Sequence, residues 1–337
     1  MLFAPLCGYY VFLAPLNLPL SVICHLSSVI RSALVAGKEA SGKPSCMKMV
    51  RTAVAEIGYL ESGQSEGVPV LFLHGFPDDA HTWDRVVAEL EGAGLRLVRP
   101  FQRGFGPSRV TAIAAHSGQV AALAQDVLDL ADELEIDRFM LVGQDWGSRA
   151  AHAAAILAPE RVTGLVVLAT GYGPAPDNWE VRLRQAHVFW YQWWFHTEMG
   201  RSALEQDRAK VCEYLWRVWS PEWSFKPDEY AAVVPSFEND QFVDTVIHYY
   251  RHRWGAAPSS PLYEAQELRL RDTPPIPVPA TFICGSSDAC NLPESSRGND
   301  KLYRAGLERI ELPGVGHFVQ RERPREVAEV LKRMLQE

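Results

Sequence analysis

The sequence predicts an α/β fold: a mostly parallel, eight-stranded sheet with helices on both faces and an inserted helical cap. Three observations predict it. Short, nearly all-apolar runs recur between residues 50 and 171, as expected of strands buried on both faces. Stretches with helical spacing separate them. The alternation then breaks over 172–270 and resumes after the proline-rich joint "DTPPIPVPA".

Taken in order, "TAVAEIGYLESG" opens the fold as a strand pair or hairpin, and "VPVLFLHG" (68–75) is a buried strand. "HTWDRVVAELEGAG" reads as an amphipathic helix closed by glycines, and "LRLVRP" as the next strand. "SGQVAALAQDVLDLADELEI" carries apolar residues at three- and four-residue steps, so it is a long helix. "RFMLVG" and "VTGLVVLAT" are strands flanking the small-residue helix "SRAAHAAAILAP". Eight of the ten tryptophans lie between Trp179 and Trp254, where "RQAHVFWYQWWFHTE" and "ALEQDRAKVCEYLWRVWS" read as helices of a cap. After the joint come strand "ATFICG", a helix near 293–305, strand "LERIEL" and a last helix "PREVAEVLKRMLQE". The domain reading is therefore a core over 47–171 and 271–337, a cap over 172–270, and an atypical extension over 1–46.

That extension carries no charge until Arg31 and includes Pro5, Pro15 and Pro19. Three readings stay open for it: a start called too far upstream, with Met47 or Met49 as the true start; a weak membrane anchor; or a disordered tail. Over the whole chain of 337 residues, 47% are hydrophobic, 22% are charged and the net charge is −8, as in a globular enzyme. No basic tract supports a nucleic-acid role. The scattered histidines show no metal-ligand spacing, and neither metal nor cofactor is expected. The six cysteines fit reduced thiols and a cytoplasmic location better than a disulfide framework. A homodimer is left open.

The chemistry centres on "LVGQDWGSRA" (141–150). Gly143 and Gly147 bracket Asp145 as glycines bracket the serine of a strand-to-helix elbow. Such an elbow lifts its central side chain clear of the sheet, and Trp146 offers a backbone N–H beside it. The bland alternative for Asp145 is a helix N-cap. Farther back, "LHGFPDD" (73–79) follows a strand; His74 and Gly75 precede Phe76, whose N–H is a second oxyanion donor, and Pro77 suits a cis peptide bond. Asp288 in "CGSSDACN" stands where an orienting acid is needed, or is a turn aspartate. His317 in "PGVGHFVQRERP" follows the last strand; alone, a loop histidine is more often a surface residue. The order 145, 288, 317 is that of nucleophile, acid and histidine in this architecture.

On "HGFPD", "GQDWGS" and "GHF", residues 50–337 resemble the α/β-hydrolases and, among them, the epoxide hydrolases. The resemblance implies a nucleophile at Asp145, an acid at Asp288 and a base at His317. It also implies two cap tyrosines that hydrogen-bond the epoxide oxygen. Tyr191 in "WYQWWF" and Tyr250 in "HYYRHRW" match them, with Tyr249 as the register alternative and core aromatics as the bland one. Gln144 departs from the family, where histidine is common, and Phe101 stands at the acidic place of an Asp-x-Arg-Gly segment.

A carboxylate suits this role because it attacks an sp³ carbon without a base and leaves an ester that activated water can cleave. Serine would leave a stable ether. The expected partners are a small hydrophobic epoxide and water, with His74, Pro77, Trp190, Trp194 and Phe318 at the pocket. Two rivals remain. A haloalkane or haloacid dehalogenase uses the same Asp-His-Asp logic, although Phe76 replaces the halide-binding asparagine of the haloalkane type. A non-catalytic ligand-binding relative of this fold is the other.

Overall fold

The computed structural model describes residues 47–336. The extension, with Cys7, Cys24 and Cys46, lies outside the described residues. Nine strands form one sheet: β1 (Met47–Arg51), β2 (Ala55–Gly63), β3 (Val68–Leu73), β4 (Leu95–Pro100), β5 (Arg109–Val110), β6 (Phe139–Gln144), β7 (Val162–Leu168), β8 (Ala280–Gly285) and β9 (Leu307–Leu312). Their order is β1-β2-β4-β3-β6-β7-β8-β9, with the two-residue β5 paired to β2. The pairs β1/β2, β2/β4 and β2/β5 are antiparallel, and every pair from β4/β3 onward is parallel. The ninth strand is the short β5, which has no apolar run to announce it.

Period-two burial explains why the central strands read as continuous apolar runs. Leu71 and Leu73 of β3, Phe139 and Leu141 of β6, and Leu165 and Val167 of β7 enter one core cluster. The alternating Val70, Phe72, Met140, Val142, Val166 and Leu168 enter another. Both faces of the sheet are therefore covered.

Between β7 and β8 the described chain is helical, with helices Trp179–Val188, Trp190–Trp194, Glu198–Trp219, Pro227–Ala231, Phe242–Arg253 and Glu264–Leu270. The last of these packs on helices Trp146–Leu157 and Val120–Glu133, so it lies against the core rather than with the five before it. The long helix Glu198–Trp219 is kinked at Asp207, whose backbone is non-helical. The helix expected near 293–305 is replaced by two 3₁₀ turns, Pro293–Ser296 and Asp300–Leu302. Gly298, at φ 84°, separates them, a backbone state that breaks helical continuity.

The loop after β4 is bolted down by charge. Arg103 is buried and donates to both Asp126 oxygens at 2.7 Å, and also to the carbonyls of Ala115, Ser117 and Ala122. Burial alone would weaken its proton hold, but the Asp126 charge outweighs that and raises it. Asp126→Ala would leave the guanidinium buried and uncompensated. We expect it to destabilise the fold by about 3–5 kcal/mol, read from the urea midpoint at constant slope; a loss under about 1 kcal/mol would rule the bolt out.

Candidate active site

At the end of β6 the chain reverses into helix Trp146–Leu157. Asp145 sits at the turn with φ 52° and ψ −113°, a backbone state L residues rarely adopt. Its side chain makes no cap bond to the helix, unlike an ordinary N-cap. The bracketing glycines have a steric cause. A Cβ on Gly147 would fall on the Leu73 carbonyl, and one on Gly143 would fall on the Gly147 carbonyl.

The Phe76 amide donates to Asp145 Oδ1 at 3.2 Å. The Phe76–Pro77 peptide is cis. His317 Nε2 faces Asp145 Oδ2 at 3.8 Å, and its Nδ1 lies 3.0 Å from Asp288 Oδ2. The other Asp288 oxygen accepts from the amides of Cys290 and Asn291, both at 2.8 Å, which fixes the carboxylate plane. With Nδ1–H held by Asp288, the bare nitrogen of His317 is the one facing Asp145. Burial would lower the His317 pKa. The charge and hydrogen bond of Asp288, joined by the Asp145 charge, outweigh burial and raise it above the usual 6.5.

Near Asp145, whose charge acts on both, stand two phenols from the inserted helices. Tyr191 and Tyr250 are both 1% exposed, and their rings meet edge-on with centroids 5.3 Å apart. Tyr250 Oη accepts from Trp146 Nε1 at 3.2 Å, and Tyr191 Oη accepts from Gln192 Nε2 at 2.8 Å. Burial pushes both phenols well above their ordinary range. The neighbouring Cys290 thiol adds to this for Tyr191, and the charge of Asp145 for Tyr250. Both therefore stay protonated and able to donate at neutral pH. Tyr249, next in register, points its ring onto Trp146 at 4.3 Å, and its hydroxyl makes no hydrogen bond to the described residues.

The expected pocket residues separate in space. Phe318 is buried against Trp216 (4.9 Å) and His317 (5.3 Å). The Pro77 carbonyl accepts from Trp216 Nε1 at 2.7 Å. Trp194 stacks on Phe195, whose ring meets Tyr250 at 5.6 Å. Trp190 was expected in the pocket wall, but it is 39% exposed and packs on Trp194 and Tyr214 at the protein surface. His74 was likewise expected at the pocket. Its Nε2 instead accepts from the Gln102 amide at 2.8 Å, and its Nδ1 is 3.0 Å from the Gly75 carbonyl. Burial keeps it neutral, with a pKa pushed down to about 4. His74 is a brace under the Phe76 turn.

Other contributors are not legible as motifs. Gln144 is buried and donates to the His317 carbonyl at 3.3 Å, tying the elbow to the histidine loop. Ser220 Oγ accepts from the amides of His317 (2.8 Å) and Phe318 (3.3 Å) and donates to Glu322 at 2.8 Å. The Trp219 carbonyl accepts from His317 N at 3.3 Å, and its ring covers His317 at 5.2 Å. Cys290 places its sulfur 3.4 Å from the Tyr191 hydroxyl.

A strained acidic elbow, a histidine–carboxylate pair and a parallel sheet whose strand ends deliver them define the class of protein. The family model for the alpha/beta hydrolase fold matches residues 68–324. The chain belongs to the α/β-hydrolase family and, within it, is similar to the epoxide hydrolases. It is 31% identical to an epoxide hydrolase of Caballeronia sordidicola over 298 residues, covering 81% of this chain and 88% of the relative. It is 25% identical over 317 residues to epoxide hydrolase A of Mycobacterium tuberculosis, covering 86% and 96%. A solved structure from Klebsiella pneumoniae, provisionally described as an epoxide hydrolase, superposes with a TM-score of 0.79 at 29% identity, covering 86% of this chain and 97% of that one. Among the described residues no helix is long and apolar enough to cross a membrane.

Proposed function

We propose that this protein hydrolyses an epoxide to a vicinal diol through an ester on Asp145, with the five inserted helices over 179–253 acting as a cap. The observation that carries the reading is a carboxylate at the elbow with two protonated phenols near it and a histidine nitrogen 3.8 Å from its oxygen. Asp145 attacks an epoxide carbon as the ring C–O bond breaks, and the departing oxygen takes a proton from Tyr191 or Tyr250. The product is an alkyl ester of Asp145. His317, oriented by Asp288, then removes a proton from water, whose oxygen attacks the ester carbonyl carbon. The amides of Phe76 and Trp146 receive the developing oxyanion. The alkyl C–O bond is kept and the acyl C–O bond breaks; the leaving alkoxide takes the proton held by His317, and the proton left on the new carboxyl group returns to the phenolate, which restores the histidine, the carboxylate and the phenol and releases the diol.

Two features favour epoxide over carbon–halogen cleavage. Phenols suit an oxygen that stays attached and must be protonated, and the named relatives are epoxide hydrolases. The test is a single turnover with enzyme in excess over styrene oxide in ¹⁸O-labelled water. The diol should carry no label, and Asp145 should carry it. Label in the first-turnover diol would overturn the ester. Halide release from haloalkanes or haloacids without diol formation would move the activity to dehalogenation, and tight ligand binding without turnover to a binding protein.

A further inference from the structure

Beside the buried centre lies a cavity of about 480 Å³ under helix Trp179–Val188 and the loops that follow β7 and β8. Asn291 and Phe189 share it with the catalytic side: the Asn291 amide binds Asp288, and the Phe189 ring meets Tyr191 at 6.4 Å. Its charge is out of character for a chain of net charge −8. Arg149, Arg182 and Arg253 line it, and no aspartate or glutamate does. Arg182 is paired outward with Asp177. Arg149 and Arg253 form no salt bridge among the described residues.

Both are held in place by aromatic faces rather than by anions. The Arg253 guanidinium lies 4.8 Å from the Phe189 ring centre and 5.1 Å from that of Trp254. Arg149, one helical turn beyond Asp145, lies 5.4 Å from the Trp146 ring, with its Nε buried and making no hydrogen bond to the described residues. The two cations also feel each other. Burial, then the charge of Arg149, pushes the Arg253 pKa down to about 9, while Tyr191, Tyr250 and Asp145 raise it. Two half-buried, like-charged groups without a counter-ion are costly unless something else is bound there, and a planar guanidinium is built to take a carboxylate.

We infer that the cavity is a carboxylate subsite formed by Arg149 and Arg253, and that the preferred substrate carries an acid group several bonds from its epoxide. The inference rests on the epoxide-opening reading above, but binding at the subsite does not require turnover. The ligand's carboxylate replaces the missing counter-ion, while Phe189 and Trp254 cover its apolar stem.

The probes are 4-phenylbutyrate and its amide, bound calorimetrically, and 4-(oxiran-2-yl)benzoate and its methyl ester, followed by turnover. Wild type should bind the acid about 10- to 100-fold more tightly than the amide and show a similar kcat/KM preference for the epoxy acid over its ester. In Arg149→Met or Arg253→Met the acid/neutral ratio should fall toward one, and Arg253→Lys should retain part of it. Acid and amide bound alike by wild type would overturn the subsite, even if both Met variants failed to fold. Acetate bound as tightly as phenylbutyrate would mean a free-anion site and overturn the substrate assignment. Arginine-dependent phenylbutyrate binding without turnover of either epoxide would uphold the subsite and remove the hydrolase reading alone.

Discussion

Replacing His317 with Gln is expected to leave a protein that opens one epoxide and stops. The first step needs a carboxylate and phenols, which remain. The second needs a base facing Asp145, and the nitrogen that lies 3.8 Å from it is gone. Turnover should fall about 10²- to 10⁴-fold, and intact-protein mass spectrometry should show one substrate mass added at Asp145. Turnover at the wild-type rate without adduct would remove His317 from the water step. The wild-type pH profile follows from the same geometry. Protonated imidazole cannot accept a proton, so kcat is lost as pH falls through the His317 pKa. Asp288 holds that value above 6.5, so the acid limb should be centred above it. Asp288→Asn should move the limb down and slow the water step.

Tyr191→Phe combined with Tyr250→Phe should abolish ring opening while the fold persists. Each phenol removed is expected to cost about 10²- to 10³-fold, so the pair costs about 10⁴- to 10⁶-fold if their effects add. Among the described residues the hydroxyls contact Gln192, Cys290, the Trp146 indole and each other, so circular dichroism and the melting curve should stay close to wild type. Tyr249→Phe is the internal control, because that hydroxyl touches nothing it could donate to among the described residues. A double variant that still forms the Asp145 ester at the wild-type rate would take the tyrosines out of the reaction.

Much of this site is legible in the sequence because its signals are local. Strands buried on both faces leave apolar runs, and "ATFICG" matches β8 residue for residue. The elbow is legible because its two glycines stand within two residues of the acid, although Gly147 answers to the carbonyls of Leu73 and His74, far back in the chain. The missed features depend on distant partners. Gln144 looks unexplained until the His317 carbonyl is folded beside it. Trp190 and Trp194 share one short helix, and only its packing decides that one faces outward. His74 reads as a pocket residue until the chain after β4 returns to bind its ring. The 293–305 segment lies where the alternation leads one to expect a helix, but Gly298 at positive φ divides it into turns too short to propagate.

Ser220 and Trp219 close the long helix that began at Glu198, yet their bonds run to the His317 loop on the far side of the chain. Under the proposed function, the segment that shapes what enters the protein is thus also a strut for the histidine of the water step. Substrate choice and release of the intermediate are therefore inherited together. Grafting the helices of a relative to change selectivity would alter the timing of the second step unless those two positions travel with the graft.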